Sequence, residues 1–268
     1  AVLAASDCLY VASPPASHLG YARQALAAEK TFFGEKPLAV DVADASAFVA
    51  EAADRGAVNF PFASSLGVET LTRWIAEGAV GRPHSITIEV AFATWPRSWQ
   101  ADAANWLDRP AEGGFTREVV SHFLFLSRRL AGPLAGLQGR AEFPEAGRSE
   151  RAIEARFMAG GVPVSLRGSV GRTDKDDHNI WLLEGDAGAV RLRDWAVAER
   201  RMPDGSFEPA PDALPNEQAR PIALRRQLDG VARLARGEPH HLATLQEALE
   251  VQEVVEAILA GRSGPRAE

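Results

Sequence analysis

Within the first sixty residues, short apolar runs that do not alternate are separated by stretches of helical periodicity. This pattern constrains the fold more than any other feature of the chain. "DCLYVAS" (7–13), "TFFGE" (31–35) and "AVNFPFAS" (57–64) are the runs. A strand covered on both faces has no polar side with which to alternate, and this is the mark of a parallel sheet between helices. "HLGYARQALAAEK" (18–30) sets Leu19, Ala22 and Leu26 on one side of a helix. "DVADASAFVAEAADRG" (41–56) begins at Asp41 as N-cap, turns Val42, Ala45, Val49 and Ala52 inward, and is expected to stop at Gly56. The first part of the chain is therefore α/β.

Beyond residue 65 the pattern changes. "LGVETLTRWIAEGAVG" (66–81) reads as a helix running into glycine turns. "HSITIEVAF" (84–92) alternates strictly, with Ile86, Ile88, Val90 and Phe92 on one face and Ser85, Thr87 and Glu89 on the other. Residues 93–114 hold three tryptophans and read as a long loop. "TREVVSHFLFLSRRL" (116–130) is expected to be a helix burying Val119, Phe123, Leu126 and Leu130. Residues 137–196 supply several strands with hairpin turns at Gly160-Gly161 and Gly185-Asp186. Residues 203–221 look like a proline-rich excursion without a core pattern, and 240–261 like a last helix. The expectation is an α+β domain with a mainly antiparallel, open-faced sheet over residues 64–268, after a partial parallel sheet over residues 1–63. The last helix is a candidate to pack back on the first domain.

Composition narrows the function. The chain of 268 residues has a net charge of −7, with acids and bases mixed, so a nucleic-acid footprint is not expected. No apolar run is long enough to span a bilayer. The opening "AVLAASDCLYVASPP" lacks the positive start of a signal peptide, and Asp7 interrupts it. One cysteine, Cys8, permits no intrachain disulfide, so a reducing cytoplasm is the default compartment.

Three segments carry candidate chemistry. Ligands of open parallel sheets sit at the carboxyl ends of the strands, where this chain places Ser13-Pro14-Pro15, followed by His18, and Glu35-Lys36-Pro37. A proline pair fixes a loop against a flat ligand, and a lysine at a half-buried strand end is suited to proton transfer. In "EGGFTREVVSHF", Glu118 and His122 stand four apart, so on a helix the carboxylate could orient the imidazole and the imidazole could take a proton from an alcohol. Taken singly, each has a plainer reading as a turn, a solvated strand end or an exposed pair. Trp95, Trp99 and Trp106 either anchor the long loop or stack on a sugar ring, with Trp99 and Trp106 the better candidates for substrate contact. Asp174, Asp176, Asp177 and His178 read as a charged turn, and no metal site is expected.

Taken together and in order, these segments resemble the glucose–fructose oxidoreductase / inositol dehydrogenase / rhizopine catabolism (Gfo/Idh/MocA) family, from Asp7 to about residue 131. The resemblance implies the C-terminal part of a Rossmann-like sheet followed by a substrate and oligomerisation domain. It implies NAD or NADP as cofactor, bound along Ser13, Pro14, Pro15, His18, Glu35 and Lys36. It implies a cis Lys36–Pro37 bond and proton transfer by Lys36 and His122, with Glu118 where the family usually has aspartate. The implied reaction is hydride transfer between nicotinamide and a secondary alcohol of a sugar, cyclitol or related polyol, in a homo-oligomer formed through the open sheet face.

The departures are also informative. No Gly-x-Gly-x-x-Gly occurs in the chain, although the family's phosphate cradle needs one at a helix N-terminus. Roughly sixty residues, two βα units, would precede residue 1 in a full family pattern, so the reading is of an N-terminally truncated member. Ala63 stands where an arginine is often seen, and Arg117 beside Glu118 is atypical. These features leave open a non-catalytic dinucleotide- or sugar-sensing or scaffold protein of the same fold, or an inactive fragment.

Overall fold

The computed structural model describes residues 3–261. The first unit runs β1 (Cys8–Val11), α1 (His18–Ala27), β2 (Thr31–Gly34), α2 (Val42–Ala52) and β3 (Gly56–Val58). The three strands pair in parallel in chain order. Asp41 caps α2 as its position suggests, accepting from the N–H groups of Ala43 and Asp44. The helix nevertheless ends at Ala52, with Ala53 in the left-handed region at φ 49°. Gly56 instead opens β3, where the Phe32 ring lies so close that an added Cβ would sit 2.1 Å from it.

α3 (Leu66–Ala76) leads to β4 (Pro83–Phe92), the short α4 (Ala104–Leu107) and α5 (Ser121–Ala131). There follow β5 (Leu134–Glu142), β6 (Ala152–Ala159), β7 (Val162–Val170), β8 (His178–Gly185), β9 (Ala189–Arg193), β10 (Val197–Arg201) and β11 (Phe207–Pro209). Together with β4 they form an eight-stranded sheet of order β11-β10-β9-β8-β4-β7-β6-β5. Every pair is antiparallel except β4 with β7. Ile86, Ile88, Val90 and Phe92 all face the core, as their alternation requires. The chain closes with α6 (Asn216–Ala235), β12 (Ala243–Thr244) and α7 (Leu245–Leu259). β12 adds antiparallel to β3, so the C-terminal segment completes the first sheet. The fold is mixed α/β, with a Rossmann-like parallel sheet and a second, mainly antiparallel one.

Several expectations are corrected. Residues 116–130 do not form one α-helix: Thr116–Val120 wind as a π turn before α5 begins. Nor is a single stripe buried, since Val119, Val120 and Phe123 to Leu126 are all at 0% exposure. Residues 119–127 are buried on every side, and Phe125 stacks on Phe60 at 4.7 Å between ring centroids. The excursion assigned to 203–221 overlaps α6, which contains Pro221. Proline removes one helical hydrogen bond, but Ala219, Ala223, Gln227, Gly230 and Leu234 are buried on the inner side of the helix. Apart from Leu234, small and polar residues carry that side, so no apolar stripe announces it. The last helix starts at Leu245 rather than at 240, with a capping box between Thr244 and Glu247. His241 instead places Nε2 2.9 Å from the Ser64 hydroxyl.

α7 is fastened to the loop after β2. Gln252 accepts from the Ala39 N–H at 3.2 Å and donates to the Ala39 carbonyl at 2.7 Å. This amide pairing, wholly buried, ties the last helix to the segment that follows Lys36-Pro37.

Candidate active site

The parallel register pairs Val11 with Gly34, so the segments leaving β1 and β2 emerge side by side at one end of the sheet. His18, at the start of α1, is buried and bridges them. Its Nδ1 lies 2.8 Å from the Pro37 carbonyl and its Nε2 2.7 Å from that of Ser13. Ser17 steadies the first loop by donating to Ser13 Oγ at 2.6 Å. Glu35 turns toward Asn59, whose amide donates to it at 2.6 Å, and toward the Tyr10 hydroxyl. Burial, followed by the Glu35 carboxylate, pushes the Tyr10 phenol up to about 12.

The Lys36–Pro37 peptide is cis. The Lys36 ammonium forms an ion pair with Glu118 and donates to the Arg117 carbonyl at 3.5 Å. Ser13, Pro14, Pro15, His18, Glu35, Lys36, Trp106 and Glu118 all line one cavity of about 330 Å³. Its far wall is Gly113-Gly114, where the chain must pass closely. A Cβ on Gly113 would meet the carbonyls of Trp106 and Leu107 within 2.4 Å. Gly114 is left-handed at φ 98°.

Glu118 does not orient His122 as the four-residue spacing suggests. Its carboxylate is taken by Lys36, and a charged donor outcompetes a neutral imidazole for it. His122 instead sits edge-on to Phe60, Phe62 and Trp195, at ring-centroid distances of 5.5, 6.1 and 5.5 Å. Burial in this seat, then the positive charges of Lys36 and Arg97, hold it well below the usual histidine range. The imidazole is thus neutral, with a lone pair, and close enough to Lys36 to feel its charge. It is not among the side chains lining the cavity.

The tryptophans divide. Trp95 is buried and donates to the Leu107 carbonyl at 3.3 Å, anchoring the loop. Trp99 is 64% exposed and lies over the Arg97 guanidinium, outside the cavity, whereas Trp106 is at the cavity wall. Several residues near the site have no candidate role in the sequence reading. Arg117 lines the cavity and grips Glu256 with two bonds of 2.6 and 2.7 Å. Arg97 is buried and donates to Asp177 at 2.7 Å, and Asp177 also accepts from Trp195 at 2.9 Å. Asp177 thus braces the surroundings of His122 from a segment that reads only as a charged turn. The partners lie about 80 residues apart in the chain, and no local pattern reveals such a contact.

A model described as "Oxidoreductase family, NAD-binding Rossmann fold" (GFO_IDH_MocA) matches residues 1–61. Over those residues the chain is similar to the Gfo/Idh/MocA oxidoreductase family. No curated protein sequence matches the chain. Among solved structures, an oxidoreductase domain protein from Kribbella flavida is similar at TM-score 0.78 and 20% identity, over 99% of this chain and 83% of its own. An oxidoreductase from Agrobacterium radiobacter, in complex with NAD+, L-tartaric acid and magnesium, is similar at TM-score 0.77 and 19% identity, over 97% and 79%. The WlbA dehydrogenase from Bordetella pertussis, in complex with NADH and UDP-GlcNAcA, is similar at 0.76 and 20%, over 100% and 82%. These likenesses establish the Gfo/Idh/MocA fold across both sheets. Among the described residues, no helix is long and apolar enough to cross a membrane.

Proposed function

We propose that the chain acts as an NAD(P)-dependent oxidoreductase on a secondary alcohol of a sugar, cyclitol or related polyol. The observation that carries this reading is the Lys36–Glu118 ion pair, which joins the end of β2 to the π turn in the wall of the cavity shared with Ser13, Pro14 and Pro15. The lining suits the ribosyl-nicotinamide end of a dinucleotide: two proline rings offer an apolar plane, and Lys36 and Glu35 offer partners for ribose hydroxyls. A nicotinamide bound there supplies the hydride chemistry. Lys36 donates a hydrogen bond to the reacting hydroxyl, Glu118 fixes where that ammonium stands, and neutral His122 receives the hydroxyl proton. The nucleotides in the Agrobacterium and Bordetella structures, and the sugar nucleotide in the latter, support this choice of cofactor and substrate class.

One observation favours a second reading. His122 lies in an aromatic seat and not in the cavity lining, as would suit a dinucleotide- or sugar-sensing protein that performs no turnover. The test is to mix the protein with NAD+ or NADP+ and a panel of sugars, cyclitols and sugar acids and to follow absorbance of the reduced nicotinamide. Turnover by the native chain, lost by about 10²-fold or more in Lys36→Met with an unchanged circular dichroism spectrum, is the expected result. NADH binding by fluorescence without turnover across the panel supports the sensor. Full activity in Lys36→Met refutes the role of the lysine.

A further inference from the structure

Glu150 reaches Gly114 and Thr116 from the loop between β5 and β6, and its side chain is wholly buried. Its Oε1 accepts two hydrogen bonds from Thr116, one from the backbone N–H at 2.7 Å and one from the hydroxyl at 2.6 Å. Its Oε2 is buried with no hydrogen-bond partner among the described residues. Thr116 opens the π turn, and the first N–H groups of any helical segment lack acceptors within it. A carboxyl from 34 residues away supplies one of them. Gly114 makes the approach possible, since a Cβ there would stand 2.2 Å from Oε2.

A buried carboxyl with half of its bonding capacity unused costs stability, and an apolar residue could fill the space without that cost. What the carboxyl contributes is location. The turn it holds carries Arg117 to Glu256 and Glu118 to Lys36, and α5, which continues from it, carries His122 to Phe60, Phe62 and Trp195. A single π turn shifts the register of everything after it, so an anchor at its first residue sets the placement of all three side chains.

We propose that Glu150 is a positioning residue: it anchors the first turn of the segment bearing Glu118 and His122, and so determines where each meets its partners. Burial raises its carboxyl above the ordinary range, against the opposing pull of the Thr116 bonds and the Arg117 charge. Glutamine keeps the Oε1 acceptor that both Thr116 bonds use, so the amide isostere does the same work.

The test needs neither nucleotide nor substrate, so its failure leaves the oxidoreductase reading standing. Ring signals of isotope-labelled histidine are followed by NMR across pH, with the His122 resonance assigned by its loss in His122→Asn. The charged groups facing that ring are Lys36 and Arg97. In the native protein His122 stays neutral well into acid. Glu150→Gln keeps that behaviour. Glu150→Ala lets the ring leave its seat and raises its titration by about one unit or more. Thr116→Val removes only the hydroxyl bond, gives a smaller rise, and decides the matter if Glu150→Ala does not fold. An unmoved His122 titration in Thr116→Val or Glu150→Ala overturns the proposal. So does Glu150→Gln shifting as far as Glu150→Ala with the same fall in melting temperature, which would mark a merely structural group.

Discussion

Lys36→Met keeps the reach and most of the volume of the side chain while removing its charge, so its effect reports directly on the ion pair with Glu118. The two side chains are 11% and 25% exposed. Removing one member of a fully buried pair costs about 3–5 kcal/mol, whereas an exposed pair contributes about 0–1 kcal/mol. Glu118 faces a cavity of about 330 Å³, where water can partly rehydrate a stranded carboxylate. The loss therefore falls between the two limits, at about 1–2 kcal/mol. At about 2–4 °C per kcal/mol for a chain of this size, the melting temperature drops by about 2–8 °C. Glu118→Gln in the same background removes the stranded charge, so the double variant recovers about half of the loss. The assay is urea and thermal unfolding of the native, two single and double variants near neutral pH, followed by circular dichroism. Additivity of the two substitutions within about 0.3–0.5 kcal/mol, or a Lys36→Met protein as stable as the native one, would refute the coupling.

His122 gives stability an acid limit. Its folded titration lies well below the ordinary value of 6.5, so between the two the unfolded chain binds a proton that the folded chain refuses. The contribution is present above the ordinary histidine range and is lost as pH falls toward the folded value, by up to about 1.4 kcal/mol per pH unit. Urea unfolding from neutral to mildly acid pH should show a shallower slope in His122→Phe than in the native protein; identical slopes would count against the buried neutral ring. Gln252→Leu strands the buried N–H and carbonyl of Ala39 and should cost about 2–4 kcal/mol in the same assay. A loss below about 0.5 kcal/mol would mean that the docking of α7 does not depend on that amide.

The legible parts of the site were those written in contiguous residues. Ser13-Pro14-Pro15 and Glu35-Lys36 follow parallel strands, and parallel strands deliver their carboxyl ends to the same edge, so the pattern of runs and helices already brought them together. The pairing of Glu118 was not legible. Four-residue spacing pointed it at His122, and only the fold supplies the competing ammonium from Lys36, 82 positions away. α6 is not marked in the sequence because alanine, glycine and glutamine carry most of its inner side, with Leu234 the one large apolar residue there.

By itself the sequence determined the α/β class, the parallel sense of the first strands, the alternating face of β4 and the three segments that carry candidate chemistry. These follow from local chain geometry, because side-chain period and strand direction are properties of neighbouring residues. Tertiary structure alone decided that Lys36 would hold Glu118, that Phe60, Phe62 and Trp195 would enclose His122, that Glu150 would anchor Thr116 and that Gln252 would fasten Ala39. Each of these depends on groups distant in the chain competing for one partner, and the outcome is set by burial and charge once the chain has folded.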